Sequence, residues 1–151
     1  MGINIRAKGA NGEREVATAM NGIIETVLKA HNIPLPPKPV IQRNQNQSAV
    51  GGSDLTNPFG LAIEVKRQEQ LSINTWWTQC LNAAAVHSEI PVLVYRKNSQ
   101  KWSVVMMTEV PLWDGTLGVR CRCEISWNDF LQWFYVLVDR KVRQAEFGSN
   151  G

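Results

Sequence analysis

Gly51-Gly52-Ser53-Asp54-Leu55-Thr56-Asn57-Pro58-Phe59-Gly60-Leu61-Ala62-Ile63-Glu64-Val65-Lys66 reads as two strands folded back on each other. Asn57-Pro58-Phe59-Gly60 has the composition of a turn. Beyond it, Leu61, Ile63 and Val65 alternate with Ala62, Glu64 and Lys66, the period of a strand with one apolar and one polar face. Before it, a strand is expected around Ser53 to Thr56. Asp54 stands ten residues ahead of Glu64, so the hairpin lets the two acids converge. Gly51, Gly52 and Ser53 are small enough for another backbone to come close.

Two carboxylates and a lysine aimed at one pocket suit a definite chemistry. A phosphodiester resists hydrolysis because its charge repels nucleophiles and its alkoxide leaves poorly. A divalent cation addresses both, by generating hydroxide and by stabilising charge on the leaving oxygen. Hard cations want oxygen ligands. Asp54 and Glu64 supply two, and the Val65 main-chain carbonyl is a third. Lys66 shares the face of Glu64 and can orient the attacking water or stabilise the pentavalent phosphate. A Glu-Val-Lys on an amphipathic strand also arises by chance, with its charges simply solvated. The spacing of Asp54 and an upstream acid, Glu13, are what separate this one from that background.

Upstream, residues 1–10 read as a flexible basic arm carrying Arg6 and Lys8. A helix is expected from Asn11, an N-cap residue, with Glu13 and Glu15 in its first turn. Val16, Met20, Ile23 and Val27 form its buried stripe, and it ends near His31-Asn32. Glu13 precedes Val16 by three and lies beside the buried edge, while Glu15 points elsewhere. The prolines of residues 33–39 impose an extended connection. Val40 to Arg43 is a short strand, and residues 44–52 are a polar loop able to meet a substrate through Arg43, Asn44, Gln45 and Gln47.

Downstream, Ser72 caps a helix running to about Ser88, with Trp76, Trp77, Gln79, Cys80 and Leu81 along it. Adjacent residues differ by about 100° around a helix, so one tryptophan goes to the core and one is partly exposed. Pro91–Tyr95 and Trp102–Met107 are apolar strands, Glu109 to Leu117 is a loop, and Val119–Ile125 is a strand whose wet face carries Arg120, Arg122 and Glu124. A last helix starts at Ser126 with Asp129 and turns Phe130, Trp133, Phe134, Leu137 and Val138 inward to about Ala145. Residues 147–151 are a frayed tail. No repeat or linker divides residues 1–151, so the expectation is one α/β (α+β) domain. Trp102–Met107 and the aromatic last helix are the expected surfaces for self-association.

Sixteen basic side chains face thirteen acidic ones. Neutralising Glu13, Asp54 and Glu64 with metal leaves 16 against 10, a balance that suits a polyanion. No acid lies between Glu25 and Asp54, while Lys29, Lys38 and Arg43 do. Three cysteines do not make a disulfide framework, and neither they nor His31 and His87 fall at zinc spacing. Reduced, buried or half-buried thiols in a cytoplasm are expected. No signal peptide and no apolar run near 18 residues point to a membrane.

At this point a family resemblance can be stated. Asp54 followed by Glu64-Val65-Lys66 resembles the PD-(D/E)XK nuclease signature, with Ser53 where the proline of that name would stand. Lys8-Gly9-Ala10-Asn11-Gly12-Glu13-Arg14 is similar to the K-G-x-x-x-E-R opening of archaeal-type and phage Holliday-junction resolvases, and maps their metal-site glutamate onto Glu13. The resemblance implies a restriction-endonuclease-like central mixed β-sheet flanked by helices. It implies Mg²⁺ dependence, with Mn²⁺ as a substitute, cleavage leaving 5′-phosphates, and a homodimer placing two sites across a four-way DNA junction. Gln79 resembles the glutamine that several of these nucleases carry on the helix after E-x-K, although Arg67 and Trp76-Trp77-Thr78-Gln79 otherwise depart from the pattern. The implied catalytic set is Glu13, Asp54, Glu64, Lys66 and Gln79. The metal set is Asp54, Glu64, Val65 and Glu13. Arg6, Lys8, Arg14, Arg43, Gln45, Gln47, Ser53 and Arg67 are the expected DNA contacts. Small size fits a phage-encoded protein acting in the host cytoplasm. A nicking, restriction-like or exonucleolytic enzyme of the same fold, and a DNA-binding module without catalysis, stay open as alternatives.

Overall fold

The computed structural model describes residues 5–45 and 52–149. Among these described residues, three helices and six strands follow one another as α1 (Ile5–Ala30), β1 (Gln42–Arg43), β2 (Leu55–Thr56), β3 (Leu61–Arg67), α2 (Ile73–Val86), β4 (Ile90–Arg96), β5 (Ser103–Pro111), β6 (Leu117–Ser126) and α3 (Trp127–Ser149). All six strands form one sheet in chain order. Only β3 and β4 run parallel, because α2 carries the chain back between them; every other neighbour is antiparallel. The result is the expected mixed sheet flanked by helices, an α+β fold.

The alternation of β3 decides what covers each face. Leu61, Ile63 and Val65 join Val92, Val94, Val104 and Met106 in a core with Val16, Met20, Val27, Phe130 and Phe134 of α1 and α3. On the opposite face Leu93, Tyr95 and Val105 pack against Trp76, Trp77 and Cys80 of α2. Register places Glu64 beside Leu93 and Lys66 beside Tyr95, so both belong to the α2 face. A strand covered on both sides would ordinarily be apolar throughout. Glu64, 8% exposed, breaks that rule.

Turn chemistry holds the hairpin of residues 55–67. Asn57 Oδ1 accepts from the main-chain N–H groups of Phe59 and Leu61, its Nδ2 donates to Leu61 O, and Gly60 takes φ +71°. At the far end of α1, Asn32 takes φ +57°. Ile33 N–H then bonds Leu28 O and Asn32 N–H bonds Lys29 O, closing the helix as a Schellman motif. At the start of α3, Ser126 Oγ accepts from Asp129 N–H at 3.0 Å, the cap expected from sequence.

Several expectations are corrected. α1 begins at Ile5, so residues 5–10 are helical where a flexible arm and a start at Asn11 were expected. Arg6, Ala7, Lys8 and Ala10 are sound helix formers, and a helix already anchored on a core propagates readily. Glu13 and Glu15 therefore sit inside the helix, and Ile24 rather than Ile23 completes the buried stripe. Ser72 stands at the N-cap of α2 without a side-chain bond, and that helix stops at Val86. Trp76 and Trp77 are both buried, because α2 lies flat enough on β4 for neighbouring rings to reach the sheet. Residues 109–111 and 117–118 extend β5 and β6, leaving a short loop; Pro111 is accommodated at a register shift between Val110 and Pro111. Trp102–Met107 lies between β4 and β6 and is largely buried, so it cannot be an outer surface. α3 runs on to Ser149 instead of fraying from 147. The loop residue Gln47, with Gly51 and the tail's last two residues, lies outside the described residues.

No helix among the described residues is long and apolar enough to cross a membrane.

Candidate active site

The site forms where β2 parts from β3. Leu55 pairs with Ile63, but one residue earlier the second strand leaves the sheet. Asp54 N–H still donates to Ile63 O at 2.9 Å, and Asp54 O accepts from Asn44 N–H at 2.8 Å. The Asp54 side chain then turns back, and its Oδ2 accepts from Val65 N–H at 2.8 Å. A carboxylate thus stands in for the next main-chain acceptor of the ladder. Asn44 Nδ2 donates to Ser53 O at 2.9 Å and Ser53 Oγ to Leu55 O, which fixes the chain leading into Asp54.

Glu13 arrives from the other side. α1 lies against β3 at Gly12, where a Cβ would stand in ordinary contact with Trp102 at 3.4 Å, Val65 at 3.6 Å and Arg67 at 3.7 Å. The next residue, Glu13, is only 8% exposed. Its Oε2 accepts from Arg43 Nε at 2.8 Å. Arg43 is held near by Asn21, whose amide bonds both the N–H and the O of Ile41.

Glu13 from the α1 side, Asp54 edge-on, and Glu64 and Lys66 from the α2 face therefore meet at one sheet margin. A cleft of about 440 Å³ opens over them, lined by Lys8, Glu13, Asp54, Val65, Lys66 and Arg67 among others. Glu64 lies buried behind this lining. Burial pushes the Glu64 carboxyl up to about 8, and the charge and hydrogen bond of Asp54 push it the same way. Asp54 is raised too, by burial first and then by Glu13, against the Val65 N–H and Glu64, which lower it. With no cation, the pair is best read as Glu64 protonated and donating to Asp54. Lys66 favours the charged form of both.

Two carboxyls buried this close together favour positive charge beside them. Among the described residues no three acid, thiol or imidazole groups stand together as a finished cation cage. The close pair is Asp54 and Glu64, and Glu13 is held by Arg43. That donor set still fits a small hard cation, since Mg²⁺ is bound through one or two carboxylates and keeps several waters. Cys80 lies beneath, with its Sγ toward Ala62 O, and burial followed by the Glu64 charge pushes the thiol up to about 12. It is an inert core group, as expected.

The remaining sequence-based site residues are distributed unevenly. Lys8 and Arg67 line the cleft, and Arg67 also lies 3.7 Å from Glu15. Arg14 is exposed nearby and bonds Asn11. Arg43, expected to meet DNA, is instead turned onto Glu13. Ser53 spends its hydroxyl on Leu55 O. Gln45 is exposed. Arg6 falls in α1, and its side chain lies outside the described residues. Gln79 is exposed on α2 and does not line the cleft. The pairing of Arg43 with Glu13 was missed because thirty residues separate them; the nearest hint was the acid-free run around Arg43. Gln68 and Glu69 also line the cleft and carried no signal in the sequence.

Comparison with known proteins bears on this arrangement. A family described as "phage putative PDDEXK endonuclease" matches residues 4–131. None of the curated proteins matches the chain. Among solved structures, Hjc of Archaeoglobus fulgidus, a Holliday junction resolvase from an archaeal hyperthermophile, is similar at 19% identity, covering 58% of this chain and 73% of its own, with a TM-score of 0.32.

Proposed function

The chain belongs to the phage PDDEXK endonuclease family, and on that premise we propose that it is a Mg²⁺-dependent, structure-selective DNA endonuclease of Holliday-junction-resolvase type, working as a homodimer in the host cytoplasm. The observation that carries the catalytic reading is the meeting of Asp54, Glu64 and Lys66 at the margin where β2 leaves β3. Asp54, Glu64 and the Val65 carbonyl would hold the cation, with Glu13 beside them. When bound, Mg²⁺ supplies a water of lowered pKa and stabilises charge on the leaving oxygen.

The chain's own groups divide the rest of the work. Lys66 orients the attacking water or meets the charge growing on the phosphate. Arg43 holds Glu13 in place beside the cleft through its 2.8 Å bond. Lys8 and Arg67 on the cleft wall, and Arg14 outside it, hold the backbone phosphates on either side of the scissile bond. The opening from Lys8 to Arg14, similar to that of resolvases, is what favours a branched substrate.

The test is cleavage of a synthetic four-way junction in Mg²⁺ by wild type, Asp54→Asn and Lys66→Ala. We expect each substitution to lower the rate by roughly 10²-fold or more, in the range of losing one charge-stabilising group. Retained cutting in both variants would sink the site assignment. Equal cutting of linear duplex and junction would replace the resolvase reading with that of another nuclease of this family.

A further inference from the structure

We propose that the end of the β5–β6 hairpin is the surface on which a second copy of this chain docks, β6 against β6 about a two-fold axis. β4 pairs with β5 only from Ser103 to Val105, whereas β5 and β6 pair with each other all the way to Pro111 and Leu117. The outer part of the hairpin therefore runs on beyond β4 as a two-stranded ribbon, and β6, ten residues long, is an open sheet edge. Exposed edges of that length are normally shortened, charged or covered.

This one carries Arg120, Arg122 and Glu124 on one face, and apolar side chains at its outer end. Val110 is 43% exposed, Leu112 52%, Trp113 96%, Leu117 74% and Val119 59%. A tryptophan almost wholly in solvent with four exposed aliphatic residues around one hairpin end is more than the single scattered apolar residues a monomer ordinarily shows, and marks a surface for a partner. The turn that presents them is built rather than slack. Leu112 N–H donates to Thr116 O and Gly115 N–H to Leu112 O, Asp114 Oδ1 accepts from the N–H and hydroxyl of Thr116, and Gly115 takes φ +84°. Gly118 leaves the space Leu112 occupies, since a Cβ there would come within 2.8 Å of the Leu112 side chain.

Charge selects the occupant. On the ribbon face that continues from Met106 and Ile125, the residues are Thr108, Val110, Val119 and Cys121, with no charge among them. The charged residues, Glu109, Arg120 and Arg122, are on the opposite face, where Arg120 stands across from Glu109 and Arg122 donates to Asn74. A nucleic-acid or anionic lipid surface would be met by basic side chains. A neutral apolar face on an open edge fits a partner offering the same, and a second copy supplies both in one antiparallel, self-complementary contact. The location of the interface stands on these observations. Its use, to set two sites against two strands, rests on the function proposed above.

Sedimentation equilibrium on the full chain at micromolar concentration tests it, comparing wild type, Trp113→Lys/Val119→Lys, and Leu35→Lys, which alters an exposed apolar residue beside α1, away from β6. We expect wild type and Leu35→Lys at twice the 17.0 kDa chain mass, and the double variant to associate at least roughly tenfold more weakly. Trp113→Ala, which removes a side chain almost wholly in solvent, gives the same reading should the double variant not fold. A monomeric wild type, or dimers unchanged in the folded hairpin variants, would overturn the interface. A wild-type dimer dispersed by the hairpin variants that cuts no DNA would leave the interface standing and remove the functional reading; a monomer that cuts would do the reverse.

Discussion

Glu64 occupies a position that the rest of β3 would fill with an aliphatic residue, and its protonation follows from that. Its carboxyl is raised from an ordinary value near 4.5 to about 8 in the folded, cation-free protein. The folded state therefore binds more protons than the unfolded chain between those values, and stability falls as pH rises through that window. Replacing the acid with an amide removes the dependence. With EDTA present, we expect Glu64→Gln to leave the melting temperature at pH 5 little changed and to raise it at pH 8, the gain in stability being on the order of a few kcal/mol at most. Thermal melts at the two pH values check this. A variant no more stable than wild type at pH 8 would show that the carboxylate is already compensated. The same acid is the one to which the proposed function assigns the cation, so a more stable Glu64→Gln at pH 8 would be expected to cut less.

At the scale of elements, the placing of Glu13 depends on how closely α1 can lie on β3. Gly12 lies against Trp102, Val65 and Arg67 at that contact. We expect Gly12→Leu to cost about 1–3 kcal/mol by overpacking, visible in urea unfolding, and to depress cleavage as well because Glu13 is carried outward. Loss of activity without loss of stability would place the effect elsewhere. The elements themselves were legible to different degrees. The turn at Asn57–Gly60, the alternation of β3 and the cap at Ser126 are local, and each could be read from a few adjacent residues. The first turns of α1 were not, because a polar, glycine-containing start draws its order from packing further along. The outer ends of β5 and β6 looked like loop because Pro111 and Gly118 break strand patterns, and cross-strand pairing overrides them. Within the site, Asp54, Glu64 and Lys66 were legible as a spacing. Arg43 on Glu13, and the exposure of Gln79, depend on contacts between distant segments and had no local signature.

For the molecule as a whole, two helices on one face and one on the other make the sheet the shared wall of two unequal cores. The larger is tied together by rings. Phe134, fully buried, meets Phe59 edge-on at 5.3 Å between centroids and Phe130 nearly parallel at 6.3 Å, joining α3 to the hairpin that carries Asp54. We expect Phe134→Ala to cost about 3–5 kcal/mol. Chemical denaturation followed by both tryptophan fluorescence and circular dichroism should show one coincident transition, because α1, α3 and β3 share that core. Separate transitions would mean that the α2 side unfolds on its own.

The hydrogen bond from Val65 N–H makes Asp54, the proposed cation ligand, a rung of the sheet as well. An amide at position 54 can keep the rung through its carbonyl oxygen, whereas alanine leaves an inward N–H without its acceptor. Asp54→Asn therefore separates chemistry from folding, and Asp54→Ala confounds them. The same coupling acts over evolutionary time. A descendant that lost cutting through Lys66 would still be held to an acceptor at position 54 by the demands of its own backbone. In that lineage a retained aspartate would record the architecture of the strand, and under the proposed function the lysine would be the residue whose presence reports cutting.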